Sequence, residues 1–269
     1  MFSYIGGKKF HTKHINPKFP KTYSGYCEPF SGAFWTYFMS DVNTTPTIYN
    51  DAHPYMTNLF RCASLNPLKL KSMMLAIEPQ NPNTFISFRD EVFNRGLTSN
   101  ISEPDFDLAV KFAYIQTQIF AGNTLSAKSK ITLLDKTKYR SKYEQLIDKL
   151  SNKKYTDKLS NITNFENLDF EECINTYDGS DMLFYIDPPY FNCEHYYTID
   201  TDDVHNRLSK CLSNVKGKIV LSYYWFDGVT ELYPMDKFNY SYYDINCQNG
   251  TRKQNTTESR KELVIRNFE

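Results

Sequence analysis

Asp187-Pro188-Pro189-Tyr190 sets a carboxylate, two stiff residues and an aromatic ring side by side. The apolar run Leu183-Phe184-Tyr185-Ile186 precedes it and reads as a strand. Open α/β sheets bind ligands just past the carboxyl ends of their strands. Residues of these types, so placed, suit chemistry on the exocyclic amine of a base. That nitrogen is a poor nucleophile because its lone pair is delocalised into the ring. Two acceptors aimed at its hydrogens draw it toward tetrahedral geometry and free the lone pair. The Asp187 carboxylate supplies one acceptor and the Pro188 carbonyl the other. The two prolines hold both in place before reaction. Tyr190 offers a face for a base swung out of its helix. As a bare strand stop, the same tetrapeptide would simply be a turn.

Three further segments could build a pocket beside this turn. Tyr4-Ile5-Gly6-Gly7-Lys8 combines a glycine pair, which allows close backbone approach, with a cation. Glu28-Pro29-Phe30-Ser31-Gly32 ends a strand in a small-residue turn, the usual opening of a nucleoside pocket. Asn50-Asp51 follows Thr47-Ile48-Tyr49, and an acid roughly 20 residues past the first loop can accept two ribose hydroxyls. The chain has no GxGxxG, which disfavours a dinucleotide cofactor.

The elements that must position these segments alternate. Residues 23–28, 46–50, 161–166, 182–187, 218–223, 239–245 and 262–267 read as strands. Residues 169–177 and 203–212 are amphipathic crossover helices. The alternation predicts an α/β domain with a mostly parallel sheet. Residues 67–160 break it, reading as helices and loops: 78–82 (EPQNP) as a linker, 105–120 as a helix, 128–158 as a basic stretch. The division expected is therefore 1–66 with 161–269 as one domain and 67–160 as a helical insert. An enlarged crossover with no separate role is the plainer alternative.

Composition narrows the class. The 269 residues are 41% hydrophobic and 23% charged, enough for a real core and too apolar for disorder. No run reaches a membrane span, and the lysine-rich start lacks a signal-peptide stretch. Six widely spaced cysteines form neither a CxxC pair nor a zinc pattern, so reduced thiols in a cytoplasmic protein are expected, without metal. Net charge is zero but uneven: residues 126–158 carry ten Lys/Arg against four acids, and 162–210 eleven acids against two bases. That split suits a grip on a polyanion in one part and chemistry in another, or ordinary solvated helix faces.

Taken in order, YIGGK, EPFSG, ND, a variable block, DPPY and a closing ELVIRN resemble the Dam-like, D12-class DNA adenine-N6 methyltransferases. The resemblance covers both flanks and skips the middle. It implies a Rossmann-like α/β core that uses S-adenosylmethionine, with a helical target-recognition insert and duplex DNA as partner. It assigns Tyr4, Lys8, Phe30, Gly32, Asp51, Asp169 and Phe170 to the cofactor. Asp187, Pro188, Pro189 and Tyr190 become the catalytic turn, Asp187 also lying near the methyl donor. Aspartate in that turn goes with adenine, where cytosine-N4 relatives tend to carry serine. Ala33 and Phe34 replace glycines of many relatives, which predicts a reshaped, weaker cofactor loop. The middle block lacks the recognition stretch of GATC-methylating members. Methylation of RNA or of cytosine N4, and a non-catalytic binding module, are the rival functions.

Other residues carry weaker signals. Lys128, Lys130, Lys136, Lys138, Arg140 and Lys142 can neutralise phosphates, and the even spacing of the last four suits an extended segment. Residues 120–124 (FAGNT) are a base-contacting loop or a plain turn. Tyr196-Tyr197 and Ser222-Tyr223-Tyr224 flank the target base or pack internally. His195 is a proton relay or a surface histidine.

Overall fold

The computed structural model describes residues 7–96, 101–119, 128–134, 140–190, 201–246 and 259–269. Seven strands form one sheet: β1 (Gly25–Glu28), β2 (Thr47–Asn50), β3 (Asn164–Glu166), β4 (Met182–Ile186), β5 (Lys218–Tyr224), β6 (Asn239–Asn246) and β7 (Ser259–Arg266). Each of them overlaps a strand expected from the sequence. The order is β3-β2-β1-β4-β5-β7-β6. The first five run parallel; β7 enters antiparallel between β5 and β6. Strand order reverses between β1 and β4, so the crevice at their carboxyl ends is where a doubly wound sheet takes its ligand.

The helices are α1 (Thr12–Ile15), α2 (Trp35–Phe38), α3 (Pro54–Leu65), α4 (Pro67–Leu75), α5 (Pro82–Arg95), α6 (Phe106–Gln118), α7 (Lys142–Lys149), α8 (Lys153–Ser160), α9 (Phe170–Tyr177), α10 (Thr201–Leu212) and α11 (Val229–Leu232). Every residue of β1, β2 and β4 is buried, as strands covered on both faces require. Alternate side chains feed two cores. Tyr26, Tyr49, Leu183, Tyr185, Val220 and Val264 join one apolar cluster with α2, α3 and α4–α7. Cys27, Ile48, Phe184, Ile186, Leu221 and Leu263 join the other, with α9 and α10.

The described residues of 67–160 are helical apart from loops and one isolated bridge, Ile119 with Ile131, and their buried apolar side chains share the first cluster. The EPQNP segment is not a solvated linker. Gln80 is buried at φ 59°; its N–H donates to Gln118 Oε1 at 2.6 Å, and its Oε1 accepts from Leu134 N–H at 2.7 Å. A buried backbone needs such partners, and composition alone does not show them. Lys142 is also not part of an extended run. It opens α7, whose N-cap Ser141 forms a reciprocal capping box with Glu144.

Candidate active site

The loops at the strand ends are tied together by Asn50. Its side-chain amide donates to the carbonyls of Pro29 at 2.8 Å and Leu168 at 3.2 Å, and its Oδ1 accepts from Leu168 N–H at 2.9 Å. Ser31 adds a second clip, its N–H donating to the Asn50 carbonyl at 2.9 Å and its hydroxyl to the Glu28 carbonyl at 2.7 Å. One buried amide thus fixes the loops after β1, β2 and β3.

Asp51 belongs to the same knot. Its Oδ2 accepts from Gly32 N–H at 2.7 Å and its Oδ1 from His53 N–H at 2.8 Å. Burial pushes its carboxyl up to about 6 against those two hydrogen bonds. Gly32 sits at φ 47°, a conformation that glycine takes without a Cβ clash. Phe34 follows in the left-handed region at φ 55°. Phe34 is fully buried in the core, its ring stacked 4.6 Å from Tyr37 and edge-on to Tyr49 and Phe60. Aromatic burial of that size outweighs the strain of about 1–2 kcal/mol for a left-handed residue.

The turn after β4 carries a charged cluster. Lys8 Nζ lies 3.2 Å from Asp187 Oδ1 and 3.6 Å from Glu262 Oε2, with side-chain exposures of 6%, 18% and 11%. Lys8 also donates to the Tyr190 hydroxyl, and that hydroxyl donates to Glu262 Oε2 at 2.9 Å. The ammonium stands 4.3 Å from the centre of the Tyr190 ring, within cation–π range. Burial pushes the Asp187 carboxyl up to about 6; Lys8 opposes the rise and Glu262 adds to it. Glu28, buried at the end of β1, accepts from Tyr26 hydroxyl at 2.5 Å and Tyr37 N–H at 3.1 Å. Its own carboxyl is raised well above the usual range by burial, with Asp187 contributing.

Phe30 and Phe170 stack at 5.1 Å beside this crevice. Asp169 caps α9 by accepting from Glu171 N–H and pairs with Arg207 of α10 at 2.5 Å. Lys8, Phe30, Gly32, Asp51, Phe170 and Asp187 therefore gather around the carboxyl ends of β1, β2 and β4, while the Asp169 carboxylate is engaged by a cap and an ion pair. Lys128 and Lys130 are exposed, Arg140 is exposed and paired with Asp148, and Lys142 is half-buried. Tyr4, Lys136, Lys138, residues 120–124, His195 and Tyr196-Tyr197 lie outside the described residues. Tyr223 is fully buried, its ring tilted against Tyr190 at 4.9 Å, whereas Tyr224 is half-buried, its ring 5.1 Å from Tyr190.

Glu262 was not singled out by the sequence reading. Its signal was an acid entering an otherwise apolar strand, Leu263-Val264-Ile265. Lys8, expected as a cofactor contact, brings its ammonium to Asp187 and Tyr190 of the turn after β4. Among the described residues no group of three or more His, Cys, Asp or Glu is disposed to hold a metal, and no helix is long and apolar enough to cross a membrane.

A seven-stranded doubly wound sheet of this order is consistent with the fold of the S-adenosylmethionine-dependent methyltransferases. Within that class, the profile of the D12 class N6 adenine-specific DNA methyltransferases matches residues 4–256, and the chain belongs to that family. It is an adenine-specific DNA methyltransferase. It is similar to the type II methyltransferase M.CviBI of Paramecium bursaria Chlorella virus NC1A, with 23% identity over 231 residues, 85% of this chain and 84% of that protein.

Proposed function

We propose that Asp187 and the Pro188 carbonyl hold the N6 amine of an adenine extruded from duplex DNA, and that S-adenosylmethionine binds across the ends of β1, β2 and β4. The donor set fits that cofactor. Glu28 and Asp187 offer carboxylates to a cationic methionine end, Asp51 offers oxygens to ribose hydroxyls, and Phe30 with Phe170 offer apolar faces to an adenine ring. Tyr4 and Lys8 complete the proposed cofactor side, with Asp169 beside its adenine. Bound, the cofactor supplies an electrophilic methyl group on a sulfonium, so the protein's task is positioning and electrostatics.

Asp187 accepts one hydrogen of the amine and the Pro188 carbonyl the other, which localises the lone pair on nitrogen. Pro189 stiffens the turn, and Tyr190 offers the base a stacking face. A carboxyl near 6 is ionised at neutral pH and can still take the proton that the amine loses, then pass it to water. Lys8 offsets the charge of two carboxylates beside the target. No step requires a metal ion.

The helices of residues 67–160 would read the target. Lys128, Lys130, Arg140 and Lys142, with Lys136 and Lys138, would contact phosphates. Residues 1–66 and 161–269 would form the catalytic unit. The four described cysteines, Cys27, Cys62, Cys173 and Cys211, are buried free thiols, which supports work in a reducing cytoplasm.

One observation carries the assignment: Asp187 lies beyond β4 at the switch point, half-buried and paired with Lys8. The test is transfer of labelled methyl to unmethylated DNA, followed by digestion to nucleosides, with Asp187→Ala as control. N6-methyladenine from the wild type alone is expected. N4-methylcytosine, or equal background incorporation from both proteins, overturns the reading.

A further inference from the structure

The Asp-Pro-Pro-Tyr turn has a second support besides the charged cluster around Lys8. His205 of α10 is 1% exposed, and its ring hydrogen-bonds the backbone of Pro189. Proline has no N–H, so the backbone partner is the carbonyl and the imidazole is the donor. The Tyr223 hydroxyl lies 2.6 Å from His205 Nε2. A neutral imidazole has one donor and one acceptor, so the nitrogen that gives its proton to Pro189 leaves the other for the Tyr223 hydroxyl. Burial holds the imidazole down at about 4, which keeps it in that neutral form. The His205 ring meets Tyr223 edge-on at 5.0 Å, and the Tyr223 ring packs at a 31° tilt against Tyr190, centroids 4.9 Å apart.

The consequence for the turn is specific. A proline ring locks φ, so ψ is the one soft dihedral left at Pro189. A donor on the Pro189 carbonyl fixes that ψ. Its rotation would otherwise swing Tyr190 away from Glu262 and Lys8 and loosen the peptide that follows Pro188.

We propose that His205 and Tyr223 are positioning residues that clamp the distal half of the turn, His205 by the Pro189 carbonyl and Tyr223 by the Tyr190 ring, and so keep Asp187 and Pro188 aimed at the amine. This rests on the reading of the turn as catalytic.

The experiment measures kcat and KM for methyl transfer to in vitro amplified, unmethylated plasmid DNA, with melting temperature and calorimetric affinity for S-adenosylmethionine on each variant. His205→Phe fills the space without hydrogen bonds; His205→Gln restores a donor and an acceptor. Tyr223→Phe keeps the ring contact and deletes one hydroxyl. A lost buried hydrogen bond at the turn is expected to lower kcat about tenfold in His205→Phe and about three- to tenfold in Tyr223→Phe. Cofactor affinity should stay within about twofold, and His205→Gln should recover most of kcat. Where His205→Phe does not fold, Tyr223→Phe decides. Unchanged kcat per folded molecule in the Phe variants, beside an inactive Asp187→Ala, overturns the clamp alone. Wild-type turnover by Asp187→Ala overturns the catalytic reading and the clamp with it.

Discussion

Asp187, just past β4, and Glu262, within β7, reach the same ammonium group, 3.2 Å and 3.6 Å from Lys8 Nζ. Two carboxylates, one half-buried and one buried, with one cation between them leave the cluster net negative when both are ionised. The cluster also holds Tyr190, through its hydroxyl and its ring.

Removing the cation is therefore informative. Lys8 opposes the rise of the Asp187 carboxyl, so Lys8→Met should move it further up. Activity requires the carboxylate, so the acidic limb of the kcat–pH profile should shift alkaline by about one unit or more. At pH 7 kcat should fall about tenfold or more, with partial recovery at pH 9. A profile that keeps its midpoint near that of the wild type would refute the coupling.

Asp187 also bears on stability. Its value rises from 3.8 to about 6 on folding, so the native state holds the proton more tightly than the unfolded chain. The contribution of Asp187 to stability is thus fully present below about pH 4 and is lost as pH rises through 6, at a cost of about 2–3 kcal/mol for the ionised form. Asp187→Asn should be inactive yet melt higher than wild type at pH 7.5, the gain vanishing near pH 4. A lower melting temperature at pH 7.5 would be the contrary result.

Asp51 joins Gly32 to His53 as well as facing the crevice. Asp51→Ala should weaken S-adenosylmethionine binding about tenfold or more through lost ribose and loop contacts. DNA binding should change less than about twofold. Calorimetry with unchanged cofactor affinity would remove Asp51 from the pocket.

The buried ring of Phe34 sets two effects against each other. Phe34→Gly relieves about 1–2 kcal/mol of left-handed strain and loses about 3–5 kcal/mol of aromatic packing. Denaturant titration should show a net loss of about 2–3 kcal/mol. Cofactor affinity per folded molecule should be unaltered, because the ring faces the core.

Much of this architecture could be read directly. The strands show because β1, β2, β4 and β5 are short, apolar, β-branched or aromatic runs bounded by turn residues. The crevice shows because Glu28, Asp51 and Asp187 each follow such a run. The burial of Phe34 was not legible because one dihedral, invisible in composition, turns its ring into the core. Gln80 was misjudged because its partners Gln118 and Leu134 are distant in sequence. Glu262 and His205 escaped notice for the same reason: each matters through a residue far along the chain.

The charged knot around Lys8 also bears on how the chain acquires activity. Lys8 and Tyr190 are 182 positions apart, and Tyr190 and Glu262 are 72 apart. Local helices assemble in microseconds, but contacts spanning such separations must first overcome the entropy of closing long loops. No fragment of the fold can bring ammonium, tyrosine and both acids together. During refolding, circular dichroism should thus recover ahead of turnover, which makes enzymatic competence a late reporter that the whole sheet has closed.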